Sequence, residues 1–120
     1  MNEETLVELQ EKVFKEYMRK TPKSKQMYDR ACGSLEGGVH SGTRFFKPYP
    51  LYMTHGKGSR IYDVDGNEYI DFQLHFGPLL LGHHHPEVME AVRRELDRGL
   101  IISNLDLVIE CAELLQEIFP

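Results

Sequence analysis

The chain has no tryptophan, only two cysteines in 120 residues, and no apolar run longer than a few residues. Each scarcity removes a class of protein. Cys32 and Cys111 lie far apart and form no CxxC pair, so they argue against a disulfide scaffold and read as reduced thiols of a cytoplasmic protein. The longest apolar stretches, Pro78 to Leu81 and Leu107 to Ile109, fall far short of the ~20 residues that cross a bilayer, and no membrane partner is expected. Positive charge is short as well. The 14 Lys and Arg against 19 Asp and Glu give a formal net charge of -5, which leaves no basic field for a nucleic-acid backbone. The opening "MNEETLVELQEK" carries acids where a secretory or organellar leader carries basic residues, so no targeting segment is expected there.

What is present is a globular balance of 41% hydrophobic and 28% charged residues, enough for one domain or part of a larger one. Leu6, Leu9, Val13, Phe14 and Tyr17 recur at spacings of three and four, which predicts an amphipathic helix over residues 4–20. Pro22 interrupts it. A second short helix is expected from Ser24 to Cys32, stopped by Gly33. The glycine- and proline-rich "GSLEGGVHSGTRFFKPYP" reads as a loop.

Three strand-like runs follow, Leu51–His55, Arg60–Val64 and Glu68–Gln73, with turn chemistry in "GKG" and "DGN" suited to antiparallel hairpins. Alternation puts Ile61, Asp63 and Asp65 on one side and Tyr62 and Val64 on the other. Neither side is cleanly polar, so both faces of this meander are expected to be covered. "FGPLLLGHHHP" reads as a buried turn that opens a helix from Pro86 to about Arg98, with Pro86 at its first position and Gly99 ending it. Val88, Val92 and Leu96 form its apolar stripe. A last helix is expected near "SNLD", with Ser103 and Asp106 as a capping box and Val108, Cys111, Ala112, Leu115 and Ile118 facing a core.

His83, His84 and His85 invite a metal reading, but helical ligands need a spacing of about four residues to share a face. The three histidines are read as a helix start, and no metal site is expected. Arg44 sits beside Ser41 and Thr43 on the glycine-rich loop, either as a solvated cation or as a guanidinium placed to grip a carboxylate bidentately. Phe76 suits packing or a pocket wall. Asp65 is explained by its turn, and Asp63 and Asp71 by pairing with neighbours. Lys47 and Lys57 lie in polar surroundings that do not activate a nucleophile. No catalytic residue is assigned.

Taken together, "GGVHSGTR", "GSRIYDVDGNEYIDF" and "FGPLLLGHHHPEVMEAV" resemble the N-terminal region of the class III pyridoxal-phosphate (PLP) aminotransferases, and within them the glutamate-1-semialdehyde 2,1-aminomutase branch. Order and spacing, rather than any single motif, carry the likeness, which runs from about Leu35 to Pro120. The resemblance implies an α+β segment of a fold-type I PLP-dependent transferase: N-terminal helices, a three-stranded antiparallel meander and two further helices.

It divides the chain into a helical segment (1–34), the glycine-rich loop with the meander (35–82), and helices leading toward a large cofactor domain (83–120). It also implies that Arg44 faces a substrate carboxylate with Ser41 nearby, and that Phe76 lines the substrate pocket. His75-Phe76 stands where the aminomutases usually have serine-tryptophan, and Gly42 where their loop has proline, so aminomutase and other transaminase both stay open.

The implied chemistry is amino-group transfer on a small amino or semialdehyde substrate bearing a carboxylate, by a cytoplasmic homodimer using pyridoxal 5'-phosphate. The phosphate loop, the aspartate that pairs with the pyridine nitrogen and the cofactor-anchoring lysine follow this segment in the family. The 120 residues are therefore expected to be part of a longer enzyme and inactive alone. The alternative is a free-standing module that pairs with a separate cofactor domain or another partner.

Overall fold

Helix α1 spans Glu3–Lys20 and stops short of Pro22, whose ring would clash with the preceding turn of a continuing helix. Its last turn carries Arg19 and Lys20, cations at the negative end of the helix dipole. Glu16 reaches both, at 2.7 and 3.2 Å, and the hydrogen bonds from Arg19 and then Lys20 hold its carboxyl down at about 2. The computed structural model describes residues 3–99 and 105–119. They fall into two compact units, Met1–His85 and Pro86–Pro120.

Helix α2 runs Pro22–Cys32 and so begins two residues earlier than its pattern predicts. The reason is local: proline at the first helical position needs no N–H partner and has its φ already set. Its next N–H groups are capped from far along the chain, since Lys23 and Ser24 donate to Asp65 at 2.7 and 2.9 Å. The helix does end at Gly33, but that glycine keeps right-handed backbone (φ -76). Left-handed backbone falls at Gly37 and Gly38. At Gly38 a Cβ would meet the Tyr28 ring at 2.6 Å and Cys32 Sγ at 2.8 Å, so only glycine lets the loop press against α2.

The centre of this unit is aromatic and polar rather than aliphatic. Tyr49 is 1% exposed, and its ring meets Tyr17 at 5.1 Å and Tyr28 at 6.2 Å. Its hydroxyl lies 2.9 Å from Thr21 Oγ1, and Thr21 Oγ1 donates to the Tyr17 carbonyl. Tyr17 in turn donates to the Tyr49 carbonyl at 2.6 Å. Burial pushes the Tyr17 phenol up to about 12, so it remains a donor throughout the neutral range. Buried hydroxyls are tolerated because each has a partner.

The meander consists of β1 (Met53–Lys57), β2 (Arg60–Asp63) and β3 (Glu68–Ile70), antiparallel in the order β1-β2-β3. Lys57 pairs with Arg60 across a two-residue turn in which Gly58 takes φ +56, the backbone that suits tight hairpins. β1 starts later than expected because Tyr52 is engaged by the helical corner, its N–H donating to Ser24 Oγ. β3 ends early because Asp71 turns the chain, its Oδ1 accepting from the Gln73 and Leu74 N–H groups.

The apolar turn expected to be buried stands exposed among the described residues. Phe76, Leu80 and Leu81 are exposed, which corrects the buried reading of "FGPLLLG". In the second unit, α3 spans Pro86–Asp97 and α4 spans Asp106–Ile118. The stripes Val88, Val92, Leu96 and Val108, Leu115, Ile118 are likewise exposed. Periodicity marks which face of a helix is apolar, but it does not supply the surface that covers it. Ser103 of the expected capping box lies outside the described residues. Asp106 Oδ1 accepts from the Leu107 N–H at 2.9 Å.

Candidate functional site

The glycine-rich loop closes into a 3-10 turn over Gly42–Arg44, where the Arg44 N–H donates to the Ser41 carbonyl at 2.9 Å. Ser41 Oγ lies 3.0 Å from Thr43 Oγ1. One turn therefore presents Ser41 and Arg44 together. The Arg44 side chain is exposed, and among the described residues no carboxylate pairs with it, whereas Arg19, Arg60, Arg93 and Arg98 all have acidic partners. A guanidinium on a fixed turn and without an internal partner can receive a carboxylate from outside.

Phe76 sits on a second element. The backbone from Leu74 to Phe76 has φ of 49, 53 and 64 in succession, followed by Gly77 at 115. Three consecutive non-glycine residues in left-handed backbone cost free energy, and such strain gathers where a side chain must be aimed. Phe76 itself is 69% exposed. No hydrogen bond or ring contact among the described residues joins it to Ser41 or Arg44, so two of the three expected site residues share a turn and the third stands on its own segment.

The pairing of Asp71 with neighbours was expected, but sequence reasoning did not single out His83 as the partner that helps anchor that segment. Asp71 Oδ1 caps Gln73 and Leu74, while its Oδ2 lies 2.7 Å from His83 Nε2. His83 also exchanges two backbone hydrogen bonds with Gly58, at 2.8 and 2.9 Å. The hydrogen bond from His83, aided by the Gln73 and Leu74 N–H groups and opposed by burial, holds the Asp71 carboxyl below its ordinary range. The available signal was the Asp-x-x-Leu step at the end of β3, an Asx-turn pattern.

The histidine run is indeed a helix start, with α3 beginning at Pro86. His83 serves Asp71, His84 is exposed with φ 57, and His85 Nδ1 is buried without a partner. No cluster of three metal-ligating side chains forms among the described residues.

Asp63 and Asp65 likewise have structural work. Asp63, 3% exposed, accepts from Asp65 N–H, Asn67 N–H, Asn67 Nδ2 and Tyr69 OH at 2.8–2.9 Å. Asp65 does not stabilise its own turn, as its position suggests, but caps α2.

A family model described as Aminotransferase class-III matches residues 43–120. The glutamate-1-semialdehyde 2,1-aminomutase of Archaeoglobus fulgidus is 47% identical over 102 residues, which is 84% of this chain and 24% of that protein. A solved glutamate-1-semialdehyde aminomutase from Pseudomonas aeruginosa superposes with a TM-score of 0.76 at 26% identity, covering 88% of this chain and 24% of that one; a lysine-to-alanine variant of it has been solved in complex with PMP. A transaminase with PLP bound gives 0.72 at 37% identity, covering 78% of this chain and 22% of that one. The chain thus spans about a quarter of the length of the curated relatives it matches. The four helices and antiparallel meander of the described residues are a segment of the fold-type I PLP-dependent transferases.

PLP belongs to the family, yet the described residues do not by themselves make a cradle for it. Every lysine among them is exposed, without the desolvation that activates a lysine nucleophile. Two enclosed carboxylates, Asp63 and Asp71, already have their oxygens engaged.

Proposed function

This chain belongs to the class-III aminotransferases, and from that premise we propose that it is the N-terminal portion of a PLP-dependent aminotransferase or aminomutase. Its substrate is a small molecule bearing a carboxylate, with conversion of glutamate 1-semialdehyde to 5-aminolevulinate as the leading case. Arg44 holds the carboxylate, Ser41 supports it from the same turn, and Phe76 walls the pocket. The observation that carries the reading is the family match over residues 43–120, which takes in both Arg44 and Phe76. The parent works as a homodimer in the cytoplasm, and its cofactor-holding residues lie in the remainder of the polypeptide. The exposure of every described lysine supports the inactivity of these 120 residues alone.

The test pairs a PLP titration of this chain with one of the product of the complete coding sequence. The longer product is expected to turn yellow and transaminate, while the 120 residues stay colourless. In the active parent, Arg44→Ala should raise KM for the carboxylate substrate about tenfold or more, the loss of one charge-assisted hydrogen-bonded pair. Trapping of the cofactor by borohydride on a single lysine of the 120-residue chain would overturn the assignment. A stop codon directly after Pro120 would favour the alternative, a non-catalytic module that pairs with a separate cofactor domain or another partner.

A further inference from the structure

The strained turn that carries Phe76 has few means of holding itself. Its own backbone supplies Phe76 N–H to the Gln73 carbonyl and Gly77 N–H to the Leu74 carbonyl, both at 3.0 Å, and Leu79 N–H to Leu74 at 3.2 Å. These fix its shape but not its place on the sheet. Placement comes from Asp71, whose N–H donates to the Ser59 carbonyl and whose Oδ1 takes the first two N–H groups of the turn. The other oxygen meets His83.

His83 is fixed in turn from the β1–β2 hairpin. Its backbone is bridged to Gly58, and its ring lies over Gly56 so closely that a Cβ there would fall 2.4 Å from the imidazole Cγ. Gly82, just before it, would drive a Cβ to 2.8 Å from the Gly58 carbonyl oxygen. Two glycines therefore clear the space that lets His83 reach Asp71. The carboxylate is only 8% exposed and the imidazole 21%, so water competes weakly for the bond.

We propose that the Asp71–His83 pair is a positioning device for substrate recognition: it clamps the Leu74–Gly77 turn to the β1–β2 hairpin and so sets the pose of Phe76. The inference rests on the reading of Phe76 as a pocket wall. Neither Asp71 nor His83 touches substrate. With the pair broken, the left-handed turn relaxes toward ordinary backbone, and the competent pose is occupied for only a fraction of the time. A pose held one tenth of the time weakens apparent substrate affinity about tenfold while leaving the chemistry of a bound substrate in place.

The experiment uses the full-length enzyme with four variants. His83→Leu fills the ring's volume but cannot donate to Asp71, whereas His83→Gln keeps a donor near the Nε2 position. Asp71→Ser keeps a short acceptor for the turn but cannot reach His83. Phe76→Leu tests the wall itself. The expected result is a KM about tenfold higher for His83→Leu and Asp71→Ser, with kcat within about twofold, and recovery toward the parent value in His83→Gln.

Hydrogen–deuterium exchange of the Gln73 and Leu74 amides should speed up in His83→Leu and not elsewhere in the meander. If His83→Leu does not fold, Asp71→Ser decides. An unchanged KM in both broken-pair variants, while Phe76→Leu changes it, overturns the positioning role and leaves the pocket reading standing. An unchanged KM in Phe76→Leu overturns the pocket reading and the positioning proposal with it.

Discussion

Replacing Asp63 by alanine should cost this chain more stability than any other single change in the meander. The carboxylate is almost fully enclosed and takes four hydrogen bonds, from two backbone N–H groups, the Asn67 amide and the Tyr69 hydroxyl. Asn67 also donates to the Lys20 carbonyl at the end of α1, so the same turn joins sheet and helices. A hydrogen bond to a charged acceptor contributes about 1.5–3 kcal/mol, and stranded donors carry a desolvation penalty of about 1–3 kcal/mol each. These do not add fully, because water reaches the outer part of Asn67. The loss expected for Asp63→Ala is about 3–5 kcal/mol, a large share of the ~5–15 kcal/mol typical of a domain. Asp63→Asn keeps the two backbone bonds but turns an amide toward another amide donor, at a cost of about 1–2 kcal/mol.

The two variants also differ in their response to acid. Burial alone would raise the Asp63 carboxyl, but the bonds from Asn67, Tyr69 and the backbone outweigh it and leave the group below its ordinary value. A folded value below the unfolded one means the stabilisation is complete above about pH 4 and is lost as pH falls through the folded value. Asp63→Asn should lack that share of the acid loss while retaining the share due to Asp71, which is shifted the same way. Urea unfolding followed by tyrosine circular dichroism suits the chain, whose six tyrosines are undiluted by tryptophan. An Asp63→Ala chain that unfolds within about 0.5 kcal/mol of the parent, the range of ordinary surface changes, would refute the account.

Asp65→Ala should cost about 1 kcal/mol through loss of the α2 cap, with exchange at Lys23 and Ser24 rising in parallel. Gly82→Ala combines φ +84 with a backbone oxygen 2.8 Å from the new Cβ; it should destabilise by at least about 2 kcal/mol in the same unfolding assay. The exposed apolar positions Leu80, Leu81, Val108 and Ile118 should make the 120-residue chain self-associate. Sedimentation velocity across concentrations checks this, and a single monomer boundary at every concentration contradicts it.

The order of elements was legible because each rests on near neighbours in sequence. Spacing of three and four marks α1, Pro22 and Pro86 set helix starts, and the glycines at 58 and 66 fit the two hairpin turns. Motif order was enough to suggest the family. Nothing local, however, announces that Asp65 caps a helix more than forty residues away, that His83 reaches back to Asp71, or that Tyr49 and Thr21 share the centre of the first unit. Those bonds exist only once segments distant in the chain are brought together, because a side chain's partner is set by proximity in space. Burial follows the same rule: the sequence could show that Phe76 is apolar, but tertiary structure alone decided that it stands exposed among the described residues.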